Sequence, residues 1–319
     1  MDIDEIQTFV TVARLGSFSR AALALHRSQP AISRRIEMLE SGFDVPLFER
    51  GRGGVALTDA GAALLPHAEA MLAAARDGAE AVSAVRQGEG GAVTLALVGS
   101  LANAGLTDLL GRFRERHPQV RLDLQTAISQ TVGDLVLRGA AQLGLRYLAD
   151  PRPGLVSQTI AMEQMRVVCA ADHPLADGRR HRASELAGEK WVAFASSRSP
   201  RESFVQFLEG KLRAAGLGDL DVLPIDGLTA QKRLVEAGFG IALLAESGIE
   251  EELRTGTLKV VDVPALQASI PVTVVHRRDG YLGAAARSLL AMITTPQAAA
   301  RGRAAGAGRA ARGKERKRA

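Results

Sequence analysis

The chain has 319 residues, a formal net charge of +5, 46% hydrophobic and 24% charged residues, and one cysteine. These proportions exclude a collagen-like, wholly disordered or disulfide-stapled chain, and the length suggests about two domains. The lone Cys169 excludes an intrachain disulfide and a Cys-rich zinc site, so a reducing compartment is expected. No apolar run reaches the ~18 residues of a transmembrane helix. The acidic opening of the chain does not read as a secretory signal. The excess charge is local: residues 297–319 hold eight basic residues against Glu315, a net of +7, so residues 1–296 carry −2. This Ala/Gly-rich tail reads as disordered. It fits a non-specific phosphate-binding arm or, preferably, a solvated extension with little role.

Ile3, Ile6, Phe9, Val10 and Ala13 recur at helical spacing, predicting a helix over 3–14 that Gly16 ends. Ser19 is the expected N-cap of a short helix over 20–25, where Ala21 and Ala22 permit close packing. After a tight connection at His26 and Arg27, Ser28 is the expected cap of a third helix, with Pro30 in its first turn and Gly42 at its end. On that helix Ile32, Ile36 and Leu39 share one side. Pro30, Ser33, Arg34 and Glu37 face the other, with Gln29 on the flank. Two short helices joined by a tight turn, the second with a polar outer stripe, make a helix-turn-helix. Apolar pieces at 46–48 and 55–57 around Glu49–Gly54 predict a β-hairpin wing with a basic tip.

A long helix is predicted over 59–87, about 42 Å in length. Leu64, Ala68, Met71, Ala75, Gly78, Val82 and Val85 form a heptad seam along it, which favours a dimerisation helix over one packed on its own domain. Residues 88–91 read as a linker. Strands and helices then alternate, beginning with a strand over 92–98, a helix over 104–116 and a strand over 120–127. They predict an α/β domain with mostly parallel sheets and room for two lobes.

The run Gly16-Ser17-Phe18-Ser19-Arg20-Ala21-Ala22, followed by Ser28-Gln29-Pro30-Ala31-Ile32-Ser33, Leu39-Glu40, Leu47-Phe48-Glu49-Arg50 and Leu57-Thr58-Asp59-Ala60-Gly61, resembles the N-terminal domain of LysR-type transcriptional regulators. The likeness extends over roughly 1–295. It implies an α+β multidomain protein: a winged helix-turn-helix over 1–58, a linker and dimerisation helix over 59–90, and a two-lobed, periplasmic-binding-protein-like effector domain over 91–295. Lobe I would take about 91–161 and 266–295, and lobe II about 162–265, leaving a basic tail over 296–319. The resemblance further implies a cytoplasmic homodimer or homotetramer that binds double-stranded operator DNA and a small-molecule effector between the lobes. It implies no cofactor, no membrane partner and no catalysis.

For DNA, Gln29 suits bidentate pairing with adenine and Arg34 with guanine. Ser33 suits a base or phosphate, and Pro30 a thymine methyl. Arg50 and Arg52, in the wing, suit phosphates or the minor groove. Arg35 reads equally as a phosphate contact or a structural residue. Ser17 and Ser28 can donate to phosphates, with capping the preferred use of Ser28. For the effector, the candidates are Ser100 and Leu101 after the first strand, Ser129 and Thr131 before the next helix, and Ser196, Arg198 and Arg201 before a helix over 202–215. Helix N-termini favour anions, so a small polar, anionic effector is expected, with Arg198 or Arg201 as counter-charge. Plain helix capping would need only the Ser and Thr residues. Gln142 stands where the family often has an acid, and Gly227 where it often has Ser.

Cys169 and Trp191 read as core, and the six histidines lack metal-like spacing. A transporter's solute-binding protein would share the α/β domain, but residues 1–86 argue against it. An enzyme would need a Ser/His/Asp, Cys/His or metal constellation, and none stands out.

Overall fold

The computed structural model describes residues 1–51, 54–87, 91–194, 203–218 and 220–295, so linker residues 88–90 and the basic tail lie outside the described residues. The described chain forms two compact units. One comprises Met1–Gln87 with Leu137–Ala140 and Asp279–Tyr281, and the other the remaining described residues.

The first unit runs α1 (Ile3–Leu15), α2 (Phe18–Ala24), α3 (Gln29–Phe43), β1 (Phe48–Gly51), β2 (Gly54–Leu57) and α4 (Asp59–Gln87). A reciprocal capping box opens α1: Glu5 N donates to Asp2 Oδ1 at 2.7 Å, and Asp2 N donates to Glu5 Oε2 at 2.9 Å. Gly16 closes it at φ 59°. The cap of α2 is Ser17, not Ser19. Gly16 turns the chain, Ser17 is extended, and its Oγ accepts from Arg20 N at 3.3 Å. Ser28 caps α3 as expected, accepting from Ala31 N at 3.4 Å. That helix continues through Gly42 and stops at Asp44, which adopts φ 53°.

Ile32, Ile36 and Leu39 pack with Phe9, Val10, Val12, Ala21 and Ala22 in one buried cluster. Each large aliphatic side chain there contributes about 1.5–3 kcal/mol relative to exposure. The antiparallel β1–β2 ladder forms the predicted hairpin. Glu40 Oε1 holds its base by accepting from Leu47 N at 2.7 Å and Phe48 N at 3.1 Å. Gly61 is obligatory at the start of α4, because a Cβ there would lie 2.1 Å from Leu47 O.

The α4 seam divides. Leu64, Ala68 and Met71 join the cluster of their own domain, which the sequence reading had assigned to a partner helix. Ala75, Gly78 and Val82 are exposed, Val82 at 73%.

The second unit contains β3 (Gly91–Val98), α5 (Ala104–Arg116), β4 (Val120–Ala127), α6 (Ser129–Leu137), β5 (Leu143–Tyr147), β6 (Leu155–Ala170), β7 (Lys190–Phe194), α7 (Ser203–Ala214), β8 (Asp221–Ile225), α8 (Leu228–Glu236), β9 (Ala242–Ala245), α9 (Glu250–Thr255), β10 (Leu258–Val261), β11 (Ala268–Arg277) and α10 (Ala284–Thr294). A seven-stranded sheet has the order β10-β6-β11-β5-β3-β4, with β9 also paired to β6. Strands β7 and β8 form a separate parallel pair.

The expectation of mostly parallel sheets is corrected. Strand β3 pairs in parallel with β4 and β5, whereas β6 and β11 pair antiparallel with each other and with all their other neighbours. These two long strands return through both halves of the domain, and a return strand runs antiparallel. Two lobes result. One is built on β3, β4 and β5, the other on β7, β8, β9 and β10, and β6 and β11 are shared. Cys169 and Trp191 are buried in the core as expected, and burial pushes the Cys169 thiol up to about 11, with Glu189 adding to it.

A polar corner ties segment 177–185 to β10. His181 N donates to Asp262 O at 2.8 Å, and the His181 ring nitrogens lie 3.0 Å from Asp177 Oδ1 and 3.2 Å from Glu185 Oε2. Arg179 bonds both carboxylates at 2.7 Å. The Arg182 amide, then Arg179 and His181, hold the Glu185 carboxyl down at about 2. A carboxylate whose folded pKa is depressed stabilises the fold above its ordinary pKa and loses that contribution as pH falls. The melting temperature of wild type should therefore exceed that of Glu185→Gln by a constant margin above pH ~5, and the margin should shrink towards zero as pH falls to ~2. Thermal melts of both proteins across this range check it.

Candidate DNA-reading helix and inter-lobe cleft

Helix α3 divides cleanly between an inner and an outer face. While Ile32, Ile36 and Leu39 are buried, Gln29, Pro30 and Arg34 are exposed and Ser33 is half-buried. Gln29 Nε2 donates to Ser33 Oγ at 3.2 Å, one turn along the helix. Arg34 makes no ion pair among the described residues. Arg35 bonds Asp4 on α1 at 2.8 Å, the kind of contact its structural reading calls for. Several acids of this unit are likewise engaged internally, Asp2 and Glu5 in the capping box, Asp4 with Arg35, and Glu40 with the wing. An outer face with Arg34 and no acid before Glu37 is what remains at the N-terminal half of α3, where the helix dipole also favours phosphate. The side chain of Arg50, and Arg52 altogether, lie outside the described residues, as do Ser196, Arg198 and Arg201.

The second unit holds a cleft of about 340 Å³ between its lobes. It opens at the carboxyl ends of two parallel strand pairs, β3–β4 in one lobe and β7–β8 in the other, where ligands of open α/β sheets bind. One wall is Val98, Gly99, Ser100, Thr126, Ala127, Ile128 and Ser129. The other is Phe194, Phe204, Val205, Ile225, Asp226, Gly227 and Leu228. The N-termini of α6 and α8 both reach it, and α8 has no side-chain cap because Gly227 occupies the cap position. At the floor, Ser100 Oγ donates to Tyr147 OH at 3.1 Å. The Tyr147 ring stacks on Phe204 of the opposite lobe, with centroids 4.5 Å apart and planes 18° apart. Burial pushes the Tyr147 phenol up, so it stays a neutral hydrogen-bonding group.

Of the expected effector residues, Ser100 and Ser129 line this cleft. Leu101 does not: its side chain is buried in the core cluster. Thr131 lies further along α6 and is not part of the lining. Ser129 is 1% exposed, and its Oγ has no hydrogen-bond partner among the described groups. Sequence reasoning missed the apolar character of the walls, Phe194, Phe204 and Ile225 above all. The available signal is positional, since the lining follows the carboxyl ends of strands, two of which, at 98 and 127, the sequence predicts. The two departures have structural consequences: Gln142 Oε1 accepts from Thr94 N at 2.8 Å, and Gly227 brings only backbone to the cleft. No helix among the described residues is long and apolar enough to cross a membrane.

These two sites belong to a sequence-specific DNA-binding regulator with a small-molecule-binding domain. The family model "Bacterial regulatory helix-turn-helix protein, lysR family" matches residues 3–62, and "LysR substrate binding domain" matches residues 86–296. The chain belongs to the LysR family of transcriptional regulators. It is 32% identical to the HTH-type transcriptional regulator CfxR of Cupriavidus necator, over 92% of this chain and 91% of the relative. It is 26% identical, over 90% of this chain and 84% of the relative, to a Synechocystis protein named "Probable RuBisCO transcriptional regulator". Full-length CbnR complexed with its target DNA shares the fold at a TM-score of 0.60 and 23% identity, over 92% of this chain and 99% of that one.

Among the described residues the Ser129 hydroxyl makes no hydrogen bond that would stabilise the fold. Ser129→Ala should leave the unfolding free energy within about 0.5 kcal/mol of wild type, or raise it, as checked by urea titration. A loss above ~2 kcal/mol would show that the hydroxyl has a structural partner.

Proposed function

We propose that α3 enters the major groove of operator DNA, with Gln29 and Arg34 reading base edges, Ser33 a base or phosphate, and Pro30 a thymine methyl. Arg50 and Arg52 hold the flanking backbone or minor groove from the wing. The observation that carries this reading is the exposed Gln29–Arg34 face, opposite the buried Ile32–Leu39 face, on the second helix of a lysR-family helix-turn-helix. Domain limits at about 58 and 90, with lobes exchanging near 161 and 266, fit this division of labour. The exposed half of the α4 seam supports a homodimer or homotetramer, and a protein that reads genomic DNA works in the cytoplasm.

The effector occupies the inter-lobe cleft, its polar end held by Ser100, Ser129 and the N-termini of α6 and α8. Ser196, Arg198 and Arg201, outside the described residues, stay candidates for its counter-charge. Its body lies among Phe194, Phe204, Val205 and Ile225, so the ligand is amphipathic rather than wholly polar. A thermal-shift screen of metabolites against wild type and Ser129→Ala identifies it.

The DNA reading is tested by sequencing genomic fragments retained by the full-length protein, with carbon-fixation loci the first to inspect, and by gel-shift titration of the enriched fragment. Arg34→Ala should lose about 1–3 kcal/mol of specific binding while keeping its non-specific, salt-dependent binding. An unchanged preference for the enriched fragment would overturn the role of Arg34.

A further inference from the structure

Beside the cleft floor lies a second polar chain that crosses between the lobes. Asn103 caps α5 in the first lobe: its Oδ1 accepts from Leu106 N at 3.1 Å, and its Nδ2 donates to Ser247 Oγ at 3.1 Å. Ser247 belongs to the second lobe, in the 3-10 turn Glu246–Gly248 that follows β9. Its hydroxyl donates to Glu163 Oε2 at 2.6 Å, and its amide donates to Glu163 Oε1 at 3.1 Å. The direction of the chain is fixed. The Asn103 carbonyl is committed to the cap, so its amide nitrogen donates. The Ser247 hydroxyl has one proton and gives it to the carboxylate, so it accepts from Asn103. Both oxygens of Glu163 are taken by one residue, and the 2.6 Å bond has the length of a charge-assisted pair.

The chain sits at the hinge. Glu163 lies on β6 just past the point where its pairing with β11 slips by one residue, between Val272 and Thr273. The turn that carries Ser247 is anchored in its own lobe by Arg166 to Glu246 at 2.9 Å and by Lys232 to Gly248 O at 3.0 Å. Its Gly248 faces residues of both cleft walls, since a Cβ there would lie 3.9 Å from Ser100 O and 3.3 Å from Leu228 Cδ2.

We infer that Asn103, Ser247 and Glu163 form a hinge-side latch that sets the opening angle of the lobes and holds Ser100 in place for a ligand. The inference deepens the reading of the cleft as the effector site. Loss of the Ser247 hydroxyl releases Asn103 and one oxygen of Glu163 together, and leaves the lobes joined through β6, β11 and the Tyr147–Phe204 stack.

The test measures lobe separation in the ligand-free, full-length protein, so it does not depend on any effector. Nitroxide labels on cysteines introduced at the exposed positions Gln125 and Ala230, one in each lobe, report the distance by pulsed electron resonance, with labelled chain diluted in unlabelled chain. The native Cys169 is buried and takes no label. Ser247→Ala and Asn103→Ser, the latter keeping a capping hydroxyl for α5, should both lengthen the mean distance and broaden its distribution beyond the wild-type width. Ser157→Ala, which removes a hydroxyl bonded only within the first lobe, should not, whatever it does to the melting temperature. If Ser247→Ala does not fold, Asn103→Ser alone decides. A wild-type distance distribution in the folded variants overturns the latch and leaves the cleft reading standing. That reading fails separately, if no ligand found by thermal shift loses affinity in Ser129→Ala.

Discussion

The pairing of β6 with β11 is the constraint on which the effector domain depends. These antiparallel strands, sixteen and ten residues long, pair along the whole of β11 and connect β5 on one side to β9 and β10 on the other. Everything else in each lobe is hung on one end of the pair. The parallel pairs β3–β4 and β7–β8 therefore aim their carboxyl ends at a common space, and the loops there become the walls of a cleft. The one-residue slip between Val272 and Thr273 falls where the strands pass from one lobe to the other. A bulge at that point increases the twist and bend available to a strand that must otherwise stay hydrogen-bonded along its whole length.

In the DNA-binding unit the organising principle is the disposal of charge. Residues 1–58 carry equal numbers of basic and acidic residues, so net charge gives no attraction for DNA. The acids and bases are nevertheless unevenly placed. Asp2 and Glu5 close the end of α1, Asp4 neutralises Arg35, and Glu40 turns its oxygen inward to the first residues of the wing. Arg34 is left on the outer face of α3. The +5 of the whole chain, which belongs to residues 297–319, has no part in this arrangement.

Much of this was legible in the sequence, because local rules wrote it. Helical spacing, Gly16 and Ser28 located the helix-turn-helix, and the amphipathic split of α3 separated buried from exposed residues before any coordinates. The misplaced cap of α2 shows the limit of such rules. Ser17 and Ser19 are equally good capping residues, and only the turn made by Gly16 decides between them. The long β6 is hard to read from sequence, since its first part is rich in polar residues and its faces do not alternate in the usual way. The α4 seam was read as one surface, but its first half meets the wing and α1 within the same chain. The cleft was least legible. Its residues come from five stretches between 98 and 228, and the apolar walls look like ordinary strand ends until the two lobes are brought together. The latch was invisible for the same reason, as Asn103, Glu163 and Ser247 are remote in sequence and become neighbours only through the shared strands.

In the function we propose, α3 reads DNA and occupancy of the cleft alters the DNA-bound assembly. The most direct test is a nuclease footprint of the full-length protein on the fragment it enriches from genomic DNA, with and without a metabolite that raises its melting temperature in a Ser129-dependent manner. The account predicts that the metabolite changes the extent of the protected region or the concentration needed for half protection. An identical footprint and identical affinity, at metabolite concentrations that saturate the cleft, would contradict it.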